Sequence, residues 1–251
     1  MEIHLTLPKK WSDITPEQLR KLSMLFIRYQ DKPEFLTRCF LLFSGWSIVR
    51  WRMWIKPDGL YFYFREPKAG VFSITSDLFR DLVNQIQWIT KGFQTLPFVP
   101  ALKGFRSPNL YLYNITLEQF LMAENFYNAF IETGDFRKLD RLLACLYCNS
   151  FEHLNVNKVA KTIGRRAISD RYACFIWFSG VKSWLSNKYP YIFSASDSKE
   201  DAPPDAVVLN LLSSLNEGDI TRNGKILKTR MHEAFHELNN KIEYSKSIKH
   251  V

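Results

Sequence analysis

One block of the chain departs from the period of everything around it. Across residues 46–56, Val49, Trp51, Met53 and Ile55 alternate with Ile48, Arg50, Arg52 and Trp54, which is the two-residue period of a strand. Pro57-Asp58-Gly59 follows; Pro presets φ and Gly permits positive φ, so the chain is expected to turn back here. Residues 60–65 form the returning strand and residues 71–75 a third. Elsewhere apolar residues recur at helical spacing. The expected fold class is therefore mainly α, of the α+β type: a helical protein with a small antiparallel β-sheet in the N-terminal half.

The helix signals are local and specific. Thr15, Pro16 and Gln18 make a capping box with proline at the first helical position, ahead of a stripe of Leu19, Leu22, Phe26 and Tyr29. A second helix is expected over 33–43, stopped by Gly45. Ser76 is expected to cap a helix carrying Phe79, Leu82, Val83, Ile86 and Ile89. Thr116 to Gln119 forms another capping box, so the resemblance between Ile14–Gln18 and Ile115–Gln119 is shared helix-start chemistry. Further helices are expected over 136–147, 171–188, from Pro203 through Leu215, and over 222–244. The last carries Leu227, Met231, Ala234, Phe235, Leu238 and Ile242. Residues 3–7 alternate like a short strand, 149–170 reads as a polar, basic connection, and 194–202 as a loop. Residues 91–113, with Gly92, Pro97, Pro100, Gly104 and Pro108, are irregular. They place the expected boundary between an α+β half (1–108) and an all-helical half (109–251), which can still form one compact domain.

The chain has 20 Phe, 11 Tyr and 7 Trp, so its core or an interface is expected to be aromatic. Thirty-four Lys and Arg against 25 Asp and Glu give +9, a balance that favours anionic partners without saying anything of fold. Cys39, Cys145, Cys148 and Cys174 are too few and scattered for a disulfide scaffold. Met1-Glu2-Ile3-His4-Leu5 lacks a charged segment leading into an apolar run, and no run of about 18 apolar residues exists. A cytoplasmic protein with no membrane partner is expected.

Three patterns carry possible chemistry. His232-Glu233-Ala234-Phe235-His236 matches H-E-x-x-H, which in zinc hydrolases places two imidazoles one turn apart on a metal and a Glu beside the attacking water. Here both His fall on the polar flank of a stripe of Leu227, Met231, Ala234, Leu238 and Ile242. Ile242 also stands where a third histidine ligand is expected in one zinc family. A solvated helix face is favoured, with no metal site and only His232 and His236 as weak candidates. Cys145-Leu146-Tyr147-Cys148 is a single C-x-x-C with His153 nearby; zinc ribbons need two such knuckles, so two buried helix thiols are favoured. Trp46, Arg50, Arg52 and Trp54 would share one strand face, with Tyr61 and Tyr63 beside them, able to stack bases and hold phosphates. Lys158, Lys161, Arg165, Arg166 and Arg171 offer further phosphate contacts. No phosphate-cradling loop, nucleophile elbow or carboxylate cluster is present, so no catalytic residue and no cofactor are expected.

Three segments carry a family likeness. They are Leu7-Pro8 to Thr15 with Glu17-Gln18-Leu19 and Phe35-Leu36-Thr37-Arg38-Cys39; Trp177-Phe178-Ser179-Gly180 with Tyr189-Pro190-Tyr191-Ile192-Phe193; and Leu215-Asn216-Glu217-Gly218-Asp219-Ile220-Thr221 with Ile226-Leu227 and Ala234 to Asn239. Together they resemble uncharacterised prophage-encoded proteins of anaerobic gut bacteria, over most of the chain. The resemblance implies an accessory role in tail morphogenesis, comparable to tail-assembly chaperones. It implies a non-enzymatic protein in the bacterial host cell, with the virion as a second address, that binds a phage structural protein such as a tape-measure protein. No catalytic residue comes with it. The alternative expectation is a nucleic-acid-binding accessory protein using the Arg50/Arg52 face; a zinc hydrolase is the remote one.

Overall fold

The computed structural model describes residues 5–49, 54–56, 59–67, 70–148, 154–193, 215–216 and 219–249. It is mainly helical with a small antiparallel sheet, and it divides into two compact units, residues 1–97 and 98–251. The division falls inside the irregular stretch, earlier than the boundary expected at residue 108. The expected strand over residues 3–7 is absent from the described part, since residues 5–9 have no regular structure.

The first unit opens with a 3-10 turn at Trp11–Asp13 and helix α1, Pro16–Tyr29. Both halves of the α1 capping box form: Thr15 accepts from the Gln18 amide, and the Gln18 side chain accepts from the Thr15 amide. Helix α2, Phe35–Ser44, ends at Gly45 in the left-handed region, φ 71°, where an amino acid without Cβ is unstrained. Four strands follow: β1 Ser47–Ile48, β2 Trp54–Lys56, β3 Gly59–Glu66 and β4 Gly70–Thr75. Tyr61 pairs with both Trp54 and Thr75, and Phe64 with both Ile48 and Phe72. The sheet is thus three strands wide, with β3 central, β4 along one edge and β1 and β2 in tandem along the other. Pro57 and Asp58 lie outside the described residues; Lys56 pairs with Gly59 across them.

Helix α3, Ser76–Asn84, is capped by Thr75, whose hydroxyl accepts from the Leu78 amide. The cap is one residue earlier than expected, and it lets the last strand residue serve two elements. Phe62 and Phe64 from β3 meet Phe79 of α3, while Trp46 touches Phe40, Phe64 and Phe72. Phe40, Trp46 and Phe64 of this cluster are buried, and with Trp11, Leu19, Leu22 and Cys39 they belong to the core of the unit. A 3-10 turn at Gln87–Thr90 follows α3. The Trp11 indole donates to the Gly92 carbonyl at 2.9 Å, and the Trp88 indole donates to the Pro8 carbonyl at 3.0 Å. Trp11 is thereby buried, and Trp88 half-buried, without leaving its N–H unpaired.

The second unit is helical. Helix α4, Leu117–Thr133, ends at Gly134, φ 64°, and Asp135 at once caps α5, Phe136–Leu146. A two-residue connection folds α5 back on α4. Helix α6, Val156–Ile163, lies in the stretch expected to be a connection; Asn155 caps it, accepting from the Lys158 amide. Helix α7, Ile168–Lys188, begins three residues before the expected start. Ile176, Trp177, Phe178, Gly180 and Val181 are all buried, whereas Phe175, Ser179 and Lys182 between them are half-buried, so α7 buries a broad face of its circumference. A short turn α8, Pro190–Phe193, follows.

The expected final helix is broken. A 3-10 turn at Ile220–Arg222 leads into α9, Asn223–Lys228, and α10 begins anew at Met231, running to Lys249. Thr229 is extended between them. Thr116 and Arg230 form an antiparallel bridge in which the Leu117 amide donates to Thr229 and the Met231 amide to Ile115. The expected loop at 194–202 lies outside the described residues. So does the expected helix from Pro203, save Leu215 and Asn216, which are helical. Among the described residues no helix is long and apolar enough to cross a membrane.

Candidate functional site

The H-E-x-x-H segment occupies the start of α10, and its two histidines have different surroundings. His232 is only 9% exposed, whereas His236 is exposed. The expectation that both face water is corrected for His232. The reason is the break before Met231, which brings the loop at 109–116 across the first turn of α10. His232 Nε2 lies 2.7 Å from the Tyr111 carbonyl and Nδ1 lies 2.8 Å from the Tyr189 hydroxyl. A carbonyl only accepts, so Nε2 carries the proton, and a neutral ring then leaves Nδ1 to accept from the Tyr189 O–H. The ring is neutral in this arrangement. Burial holds its pKa below the ordinary imidazole value, and the nearby Lys188 charge acts the same way against the opposing Tyr111 bond.

Aromatic rings close around this histidine. Tyr113 stacks at 4.2 Å, with Trp184 and Tyr189 within 6 Å. Lys188 donates from Nζ to the Tyr113 hydroxyl at 2.9 Å and lies over the Tyr113, Trp184 and Tyr189 rings. Leu112, fully buried between the two tyrosines, has φ 62°. A non-glycine residue there costs about 1 kcal/mol or more. Asn109 offsets this by closing the turn, its side chain accepting from the Tyr111 amide. Both ring nitrogens of His232 are thus engaged internally, and a metal would have to displace Tyr111 and Tyr189. His236 Nε2 is 3.3 Å from the Asn240 amide nitrogen. Among the described residues no group of three His, Cys, Asp or Glu is placed to hold a metal. The cluster is a latch joining the 109–116 loop, the end of α7 and the start of α10.

The strand face takes a different form from the expected one. Trp46 is buried, 7% exposed, against Phe40, Phe64 and Phe72; it belongs to the core and does not stack a base. Arg50 and Arg52 lie outside the described residues, as does the side chain of Trp54. Lys161 and Arg165 are exposed on α6 and the turn after it, and Arg166 is half-buried. The two thiols of the C-x-x-C are free, Cys145 buried and Cys148 half-buried. Desolvation pushes Cys145 up to about 12, so it is inert as a nucleophile at neutral pH. His153 lies outside the described residues.

A feature that periodicity did not reveal lies in the first unit. Lys21 and Leu25 of α1 and Arg38, Leu41 and Leu42 of α2 line a shallow, open cleft of about 310 Å3. The three leucines are half-buried. Leu25 and Leu42 lie one helical turn from the fully buried Leu22 and Cys39, at the margin of the face that enters the core. Lys21 and Arg38 stand among the three leucines, tied one helical turn back to Glu17 and Glu34.

The chain matches no family model, no curated protein and no solved structure.

Proposed function

We propose that the protein is a non-enzymatic assembly factor of a phage or prophage that holds another structural protein, such as a tape-measure protein, in the host cytoplasm. The observation that supports this reading is the α1–α2 cleft. Leu25, Leu41 and Leu42 are only half-covered by their own unit. An amphipathic helix laid along the cleft would cover them, in the helix-in-groove mode. Carboxylates flanking its apolar stripe would meet Lys21 and Arg38. The existing pairs do not prevent this: their side chains are 43% to 74% exposed, and such pairs contribute about 0–1 kcal/mol. The likeness to prophage proteins supplies the class of client.

The test is binding of a helical segment of the client, followed by fluorescence anisotropy, to the full chain and to a Leu25→Asp/Leu41→Asp variant. At least a ten-fold weaker affinity is expected, with an unchanged circular dichroism spectrum. Equal affinities would sink the proposal.

A further inference from the structure

The second unit carries a concentration of positive charge with a regular basis. Lys158, Lys161 and Arg165 are spaced three and four residues apart, so they fall on one stripe of α6 and its C-terminal turn. All three are exposed. The opposite side of α6 presents Ala160 and Ile163, which are buried. Arg166 leaves the same turn and reaches the 102–106 loop. Its Nη2 lies 3.3 Å from where a Cβ on Gly104 would be, and its guanidinium sits 6.0 Å from the Phe105 ring centroid. Lys103 and Arg106, both exposed, belong to that loop. Six cations therefore share one region of the unit.

No carboxylate among the described residues lies within ion-pair distance of any of the six, and the buried Nε of Arg166 has no hydrogen-bond partner. Asp140 of α5, whose carboxylate lies against Gly164 of the α6–α7 turn, is engaged with Arg171 at 2.6 Å. Residues 98–108 contain no acidic residue at all, and residues 156–169 none either. Like charges gathered without counter-charges repel one another, and an anionic ligand relieves that cost.

We propose that Lys103, Arg106, Lys158, Lys161, Arg165 and Arg166 form a binding site for the phosphodiester backbone of nucleic acid. The site is carried by helix α6 and is separate from the strand face that alternation in the sequence suggests. A lipid surface fits less well. Membrane-surface helices need an exposed apolar face beside the cations, and the apolar side of α6 is spent on the core. None of the large exposed apolar residues lies in residues 98–108 or 156–166. Contacts made through phosphate alone position a protein without reading sequence.

The test is anisotropy of a labelled mixed-sequence DNA duplex titrated with the full chain at several salt concentrations. Two variants accompany it, Lys158→Glu/Lys161→Glu/Arg165→Glu and the milder Lys158→Gln/Lys161→Gln/Arg165→Gln. The expected wild-type behaviour is a dissociation constant in the micromolar range at about 50 mM salt, weakening steeply as salt rises. Each variant is expected to bind at least ten-fold more weakly. The logarithmic salt slope is expected to shrink by about 0.9 for each phosphate contact removed. No binding by the wild-type chain at low salt would overturn the proposal. So would affinity that survives either triple substitution, or tighter binding to vesicles of anionic phospholipid than to the duplex.

Discussion

Two buried polar residues have the largest consequences for single substitutions. Arg171 and Asp140 are 12% and 11% exposed and lie 2.6 Å apart. Burial raises the Asp140 pKa, and the bond to Arg171 works against that rise. Removing one partner strands the other charge, so Arg171→Ala is expected to cost about 3–5 kcal/mol, read by denaturant unfolding. A loss under 1 kcal/mol would show that water already reaches the pair. Gly164 belongs to the same contact, since a Cβ there would meet an Asp140 carboxylate oxygen at 2.8 Å. His232 sets a pH dependence. Its native pKa lies below the ordinary imidazole value near 6.5, so over the intervening range the unfolded chain binds more protons than the native one. Stability is therefore complete above about pH 6.5 and declines as the pH falls below it. Melting temperatures between pH 7.5 and 5 are expected to fall more steeply for the wild-type chain than for His232→Gln. Parallel slopes would contradict the neutral, twice-bonded ring.

Elements show which signals in the sequence were sufficient by themselves. The α1 capping box is local chemistry, and both of its bonds form as Thr15 and Gln18 predict. The same signature at Thr116 and Gln119 forms by half. Thr116 accepts from the Gln119 amide, but the Gln119 side chain donates instead to the Cys145 carbonyl at 2.6 Å. That carbonyl belongs to the last turn of α5 and also accepts from the Cys148 thiol at 3.3 Å. Gln119→Ala is consequently expected to cost about 1–3 kcal/mol, more than Gln18→Ala on the exposed α1 terminus. Equal costs would mean the amide is dispensable to α5. The sheet was legible because alternation and the turn residues agree, but of the strand expected over 46–56 the described residues form only β1 and β2. Helix α6 was hidden because it has eight residues and its charges dominate its two buried apolar positions, Ala160 and Ile163. The break before α10 was also hidden. Its cause is the bridge from Thr229–Met231 to Ile115–Leu117, a contact between segments more than a hundred residues apart. His232 followed from that break: a helical stripe locates the polar flank of α10, but only the arrival of Tyr111 and Tyr189 decides that the flank is covered.

At the scale of the molecule, the fold class expected from period and caps is the one observed, whereas two of the candidate site residues, His232 and Trp46, are buried. H-E-x-x-H supplies a latch, and Trp46 fills a core. Among the described residues, the first unit carries a leucine cleft with basic neighbours and the second a basic helix stripe. Such surfaces are suited to holding other molecules. The most direct measurement is a tagged pull-down from cells expressing the surrounding gene cluster, run with and without nuclease and compared with the Leu25→Asp/Leu41→Asp variant by quantitative mass spectrometry. The proposed function predicts a stoichiometric structural protein that survives nuclease and is lost from the variant. A pull-down in which no structural protein survives nuclease, or one retained equally by the variant, would contradict it.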